Sequence, residues 1–521
     1  MQDLSWWQHA VIYEIYPRSF QDSNGDGIGD LNGIVSRLDY LVRLGVDAVW
    51  ISPIYPSPMA DFGYDVADYC GIDPVFGTMA DFDHLLDEVH RRGLKMILDF
   101  VPNHTSDQHP WFLESRSSRD NPKRDWYLWR DEPNNWSSNF GGSAWEWDEA
   151  TGQYYCHSFL KQQPDLNWRN PAVKDAMFDA LRFWLRRGVD GFRVDVMWMM
   201  IKDQQFRDNP PNPGFRPGQS SNSRLLPVYN TDRPEIHDLV AKMRAIVDEL
   251  PERVIIGEIY LPVQQLMTYY GVDLKGANLP FNFHLLQCAW SAEAVAQVIS
   301  EYNAALPEKA WPNWVLGNHD QARIASKVGA RQACVAAMLL LTLPGTLTMY
   351  YGEELGMVNV PIAPEQVQDP FEKNEPGLGL GRDPERTPMP WGNSAGAGFT
   401  TGSPWLPIGY DIDVVNVASL EKDPTSILQL YKKLIQVRRT YRDLVSGRLD
   451  SVVAENGVLR YLRRGEQSRI FVALNMGHES AQITVAAGTV LASTSLDRDG
   501  QEIAGLIELQ GAEGFVVELS S

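Results

Sequence analysis

"MFDALRFWLRRGVDGFRVDV", Met177 to Val196, carries two structural periods in one uninterrupted run. Met177, Phe178, Leu181, Trp184 and Leu185 recur at the spacing of one helix face, and Gly188 follows as a left-handed cap. The remainder, "VDGFRVDV", is short and apolar and ends in Arg193 and Asp195, so it reads as a buried strand with polar residues at its C-terminal end. The same unit recurs as "IVSRLDYLVRLG" before "VDAVWISP", "FDHLLDEVHRRG" before "LKMILDFVPNH", and "IHDLVAKMRAIVDEL" before "RVIIGEIY". Helices alternating with buried strands imply a parallel sheet. With "VIYEIYP", "GANLPFNF", "NWVLGNHD" and "TLTMYYGEE" the candidate strands number about eight, the count of an α/β (β/α)8 TIM barrel, although a doubly wound sheet satisfies the same periodicity.

Two places interrupt the rhythm. About sixty residues of aromatic and polar loop separate "DFVPNH" from "QPDLNW", and a Pro- and Gly-rich region runs from Gly356 to Tyr410. From about Asp443 the chain turns to short alternating runs such as "RIFVALNM" and "AQITVAAG", which read as an antiparallel β domain. The expected organisation is therefore a barrel over 1–104 and 170–442, a lobe over 105–169 inserted after strand 3, irregular insertions near 200–232 and 357–410, and a C-terminal β-sandwich over 443–521.

A net charge of -21 excludes the basic footprint that nucleic acid or an anionic membrane requires. Aromatic clusters such as "WYLWR" and "NNWSSNFGGSAWEW" lie in Gly, Ser and Asn-rich loop text, a composition suited to the apolar faces and polar edges of sugars. The start, "MQDLSWWQHAVIYEIYP", lacks the basic, apolar and cleavage regions of a signal peptide, so a cytoplasmic location is expected. Cys70, Cys156, Cys288 and Cys334 are far apart without metal-binding spacing, and unpaired buried thiols are expected.

The polar residues gather at strand ends. Arg193 and Asp195 are two apart on a strand and share a face, which puts a guanidinium beside a carboxylate and keeps it ionised. Glu258 ends "IIGEIY", His319 and Asp320 end "VLGNHD", and Asp99, Asn103 and His104 lie in "DFVPNH". In a barrel these ends converge on one pocket. Three carboxylates and two histidines without H-E-x-x-H argue against a zinc hydrolase and suit cleavage of a glycosidic bond. Near the N-terminus, "DSNGDGIGD" sets Asp22, Asn24 and Asp26 two apart before Gly27 and Asp30, close to the spacing of a calcium loop. A strand precedes it, so it is not an EF-hand.

"DFVPNH", "QPDLNW", "GFRVDV", "GEIY" and "GNHD" in this order, with "GYDV" upstream and "RTPMPW" downstream, resemble the α-amylase superfamily, glycoside hydrolase family 13, in its oligo-1,6-glucosidase and α-glucosidase branch. The resemblance implies a catalytic barrel, domain B as the inserted lobe and domain C as the tail. It implies Asp195 as nucleophile, Glu258 as general acid/base kept protonated at the start, and Asp320 as a third acid that clamps sugar hydroxyls. It further implies substrate contacts at Tyr64, Asp65, His104, Phe159, Arg193, His319 and Arg386, with an Asp65–Arg386 pair closing the pocket beyond the terminal sugar. Finally it implies a structural Ca2+, or Mg2+, held by Asp22, Asn24, Asp26, Asp30 and the carbonyl of Ile28.

The implied activity is that of a retaining, exo-acting α-glucosidase on short α-glucosides, with transglucosylation to a sugar or alcohol acceptor and no nucleic-acid or membrane partner, as a monomer or homodimer. Oligo-1,6-glucosidases and sucrose- or trehalose-type isomerases share the three acids and are the alternatives. Noncatalytic transporter partners lack these acids and carry a transmembrane helix, and this chain does neither. Val196 resembles the 1,6-preferring members, whereas "GEIYLPVQQLMTYYG" and "FRDNPPNP" resemble α-1,4-preferring bacterial enzymes. The longer segments cover more of the pocket rim and set the expectation at maltose-like disaccharides.

Overall fold

The computed structural model describes residues 4–520. Residues 1–3 and 521, the outer ends of the first and last expected segments, lie outside the described residues. Pro171–Arg187 shows how the repeating unit folds. Asn170 caps its first turn through Ala172 N, and Met177, Phe178, Leu181, Trp184 and Leu185 are all buried. Each such side chain contributes about 1.5–3 kcal/mol on leaving water. Gly188 ends the helix at φ 116°, and a Cβ there would meet nothing closer than Leu86 at 3.4 Å, so the left-handed backbone and not crowding demands glycine.

Eight parallel strands follow this pattern: β1 (Val11–Ile15), β2 (Ala48–Ile51), β3 (Lys95–Phe100), β4 (Gly191–Val194), β5 (Val254–Gly257), β6 (Leu279–Pro280), β7 (Asn313–Val315) and β8 (Thr346–Tyr350). They form one sheet in the order β7-β8-β1-β2-β3-β4-β5-β6. No backbone ladder joins β6 to β7. The side chain of Asn313 bridges them instead, accepting from Asn282 N at 3.0 Å and donating to the Pro280 carbonyl at 2.6 Å, which closes a (β/α)8 barrel. The period of two sends Ile12, Trp50, Ile97, Ile256 and Val315 into the barrel, while Val11, Tyr13 and Ile15 pack outward under the helices. Continued to the C-terminal ends, the inward set becomes Glu14, Asp99, Arg193, Glu258 and His319, all buried.

The lobe after β3 holds a three-stranded antiparallel sheet of Trp129–Arg130, Trp145–Asp148 and Gln153–Cys156. It is fastened to the barrel by a β-bridge between His104 and Asp165 and by the buried ammonium of Lys202. Lys202 Nζ lies 3.0 Å from Asp165 and donates to Asn103 Oδ1 at 2.6 Å, which satisfies both charges away from water. Irregular segments occupy the two regions near 200–232 and 357–410, with only short turns such as Ser221–Arg224 and Pro370–Asn374.

The tail differs from the expected sandwich. Strands β9 (Arg448–Glu455), β10 (Val458–Arg464), β11 (Arg469–Asn475), β12 (Ala481–Ser493), β13 (Glu502–Leu509) and β14 (Gly514–Leu519) make one antiparallel sheet in the order β9-β10-β11-β14-β12-β13. One face, through Tyr461, Ile470, Val472 and Val516, joins the core of the barrel helices. The other builds its own core from Val458, Ile483, Val485, Val490 and Phe515. The barrel supplies the packing layer that a second sheet would have supplied. The four cysteines are unpaired as expected, but only Cys156 is buried and the others are half-buried. Among the described residues no helix is long and apolar enough to cross a membrane.

Candidate active site

At the C-terminal ends of the strands lies a cavity of about 360 Å³. Asp195 follows β4, Glu258 follows β5 and Asp320 follows β7, and all three reach it. Tyr64, His104 and Phe159 also line it. Arg193 is fully buried beneath the acids. Its Nη1 donates to Asp195 Oδ1 at 2.7 Å and to Asp99 Oδ1 at 2.9 Å, while Nη2 lies 2.8 Å from Glu258 Oε2 without a well-directed N–H. Arg193 is therefore not reserved for Asp195, as the sequence suggested, but serves three acids.

Burial pushes the carboxyls of Asp195 and Glu258 up from their ordinary range, and Arg193 opposes the rise in both. Three acids around one guanidinium leave excess negative charge, so Asp195 and Glu258 share a proton. The directed, charge-assisted bond goes to Asp195 and favours the anion there, which leaves the proton on Glu258. Glu258 Oε2 also accepts from Val196 N at 2.8 Å, and Val196 sits at φ 35°, a strained backbone for a β-branched residue. Asp320 differs from this pair. Burial raises it, but the guanidiniums of Arg382 and Arg386, 3.2 and 2.7 Å away, hold it well below the usual carboxylate range, so it is anionic.

The pair that closes the cavity is not the one expected. Asp65 is wholly buried, and its carboxylate is spent on Ser57 Oγ, Ala60 N and Asp61 N at 2.8 to 3.0 Å. It staples the loop and does not touch the pocket. Arg386 lies beneath the site, with Nη2 2.7 Å from Asp320 and Nε donating to the His319 carbonyl at 2.7 Å. The closing pair is Asp61–Arg382, at 2.7 Å. Arg382 stands 4.7 Å over the Phe140 ring and is fixed from behind by Asp369 at 2.7 Å. In "DFGYD" the two acids are four apart, and in "RDPER" so are the two arginines. Only the loop folds separate them, and no sequence period could.

His319 is likewise fully buried behind the wall formed by Tyr64 and Asp320, and does not line the cavity. His104 is neutral, because burial lowers it to about 4, and its Nε2 meets the Tyr64 carbonyl at 3.0 Å. On the open side Asn222 reaches the rim and donates to the Asn139 carbonyl at 3.0 Å, while Ser221 N donates to Glu375 at 2.8 Å. The insertion near 200–232 thus touches both the lobe and the segment near 357–410. The result is a cavity lined by three acids, with an anionic Asp195, a protonated Glu258 and an anionic Asp320. Such a set can attack a saturated carbon, protonate a leaving oxygen and hold hydroxyls.

In the loop at Asp22 to Asp30, side-chain oxygens fold the backbone back on itself. Asp22 accepts from Asn24 N and Gly25 N at 2.9 and 2.7 Å, Asn24 accepts from Asp26 N at 2.8 Å, and Asp26 accepts from Ile28 N at 2.8 Å. Asp30 caps the helix that follows through Gly33 N at 2.7 Å. Among the described residues no group of three His, Cys, Asp or Glu side chains forms a metal cluster; the donors the loop offers are oxygens, the kind a hard cation takes. The loop lies outside the pocket lining.

Both the sequence and the fold have known relatives. The family described as "Alpha amylase, catalytic domain" matches residues 14–447. A "Probable alpha-glucosidase" of Rhizobium meliloti is 42% identical, covering 92% of this chain and 91% of the relative. An "Oligo-1,6-glucosidase" of Parageobacillus thermoglucosidasius is 40% identical, covering 91% of each. The crystal structure of an "alpha-glucosyl transfer enzyme, XgtA" is 38% identical at TM-score 0.94, covering 99% of this chain and 100% of that one.

Proposed function

Since the chain belongs to the α-amylase family and is a retaining glycoside hydrolase, we propose that it removes single glucosyl units from the non-reducing end of short α-glucosides, maltose-like disaccharides foremost. The observation that carries this reading is the Asp61–Arg382 pair, which joins two walls of the cavity that holds Asp195 and Glu258. A chain end fits such a pocket and a chain interior does not.

In the proposed reaction Asp195 attacks the anomeric carbon as Glu258 gives its proton to the departing oxygen, leaving a β-glucosyl ester on Asp195 and a free alcohol. Glu258, now a carboxylate, takes a proton from water or an acceptor hydroxyl, whose oxygen displaces Asp195 and restores the α configuration. Water gives glucose and an acceptor sugar or alcohol gives a new glucoside. Asp320 clamps ring hydroxyls, and Arg193 keeps Asp195 anionic. Rates on maltose, isomaltose, sucrose and trehalose, with proton NMR of the first product, test this reading. We expect kcat/KM for maltose above that for isomaltose by about tenfold, with α-glucose released first. Preference for isomaltose, or conversion of sucrose to an isomer, would replace it with one of the alternatives.

We further propose that Asp22, Asn24, Asp26, Asp30 and the Ile28 carbonyl hold Ca2+ in a structural role. Burial raises Asp22, but hydrogen bonds from Thr400 and the backbone of Gly25 and Gly27 outweigh it and keep the carboxylate ionised. A ligand bound only by the folded state at a hundred times its Kd adds about 2.7 kcal/mol. The parent's Tm is expected to fall by several degrees in chelator and recover with calcium, whereas the Asp22→Ala, Asp26→Ala double variant responds to neither. An unchanged melt of the parent in chelator refutes the site, and loss of catalysis before unfolding refutes its structural role.

A further inference from the structure

Glu14 lies on β1 at the inward polar layer, wholly buried, and belongs to no role assigned so far. Its Oε1 contacts His319 Nδ1 at 2.5 Å. The hydrogens in this contact are fixed by the bonds beyond it. Tyr64 Oη lies 3.1 Å from Asp99 Oδ2, which already accepts from Arg193 Nη1 and Trp50 Nε1, each at 3.2 Å, and so is an acceptor; the single hydroxyl proton of Tyr64 goes there. Tyr64 Oη is also 2.7 Å from His319 Nε2 and must therefore accept, which makes Nε2 a donor. Asp320 Oδ2, 3.4 Å from the same nitrogen, is an acceptor as well and agrees with this orientation.

With Nε2 protonated, two states remain for the contact at Nδ1. Either His319 is a cation beside an anionic Glu14, or it is neutral with a bare Nδ1 and Glu14 supplies the proton. The second oxygen of Glu14, Oε2, is buried without any partner. A carbonyl oxygen without a donor costs far less than a carboxylate oxygen in the same place. The surroundings point the same way. Facing Glu14 are Arg193, Asp320, Asp99 and Glu353, one cation against three acids. Facing His319 are Asp320 and the guanidiniums of Arg386, Arg193 and Arg382, one acid against three cations.

We propose that Glu14 is a positioning residue: as a neutral carboxylic acid it donates to Nδ1 of His319 and locks the tautomer whose Nε2–H holds Tyr64 in place and faces Asp320. Burial alone can keep a carboxylic acid neutral at pH 7 so that it donates. Burial here raises Glu14 well above, and lowers His319 well below, their ordinary values. The kinetic consequence rests on the proposed reaction, because Tyr64 and Asp320 line the pocket. The tautomer itself does not.

Glu14→Gln and Glu14→Leu separate the two states. A Gln amide donates to Nδ1 as the acid does, so we expect kcat/KM within roughly threefold of the parent, while Leu leaves the ring unoriented and costs roughly 10- to 100-fold. The parent should lose activity as pH rises through the Glu14 pKa, and the Gln variant should keep only the alkaline limb that belongs to the Asp195–Glu258 pair. Neutron diffraction of the parent at neutral pD should find deuterium on Glu14 Oε1 and His319 Nε2 and none on Nδ1. Deuterium on Nδ1, or a Gln variant that melts like the parent yet falls as far as Leu, overturns the proposal. If either variant fails to fold, the neutron map of the parent decides. A correct tautomer in a protein that cleaves no short α-glucoside would sink the proposed function alone.

Discussion

Asp195→Asn is expected to lower kcat on maltose by roughly 10⁴-fold or more, the loss typical of removing a covalent nucleophile and equivalent to at least about 5.5 kcal/mol of barrier. Of the Asp195–Glu258 pair, Asp195 receives the directed bond from Arg193, which favours the anion there, and Asn cannot form the ester. The loss is not one of folding. Asp195 is one of three acids crowded around a single guanidinium, and neutralising it relieves repulsion from Asp99. The variant should melt at or above the parent's temperature. A glucosyl fluoride with a deactivated ring should label the parent, and peptide mass spectrometry should place the adduct on Asp195. An adduct on Asp320, or an Asp195→Asn variant with a tenth of parental activity, would overturn the assignment.

Glu258→Gln should cost roughly 10³-fold on maltose, whose leaving sugar needs a proton. It should cost much less in the first step on a substrate with an acidic phenol, which leaves unaided. The second step still lacks its base, so the glucosyl-enzyme accumulates and a burst of phenol precedes slow turnover. Azide needs no deprotonation. Added to Glu258→Ala it should restore turnover and give the α-glucosyl azide, because it displaces the β-linked ester. Burial raises Glu258, with Arg193 opposing, and the proton must be present at the outset. Activity of the parent on maltose therefore falls as pH rises through the upper pKa of the Asp195–Glu258 pair, and in Glu258→Gln this limb disappears. Equal losses on both substrates, or a β-glucosyl azide, would remove Glu258 from this role.

Much of this molecule is dictated by residue spacing alone. The helix face of Met177 to Leu185, the stop at Gly188 and the strand to Val194 are local features, and each is set by neighbours three or four positions away. Asp195, Glu258 and Asp320 were legible because a parallel strand carries its polar end to a known side of the sheet. Three things were decided only when distant segments met. The pocket's end wall is Asp61 and Arg382 and not Asp65 and Arg386, because irregular loops have no period to tell one acid from another four residues away. The tail is one sheet because the barrel helices cover its inner face, a partner absent from its own sequence. Glu14 looked like an ordinary strand residue, and its contact with His319 joins positions 305 residues apart. Periodicity reports what one element buries. Which side chains then share a proton or close a pocket depends on distances that only the packed chain sets.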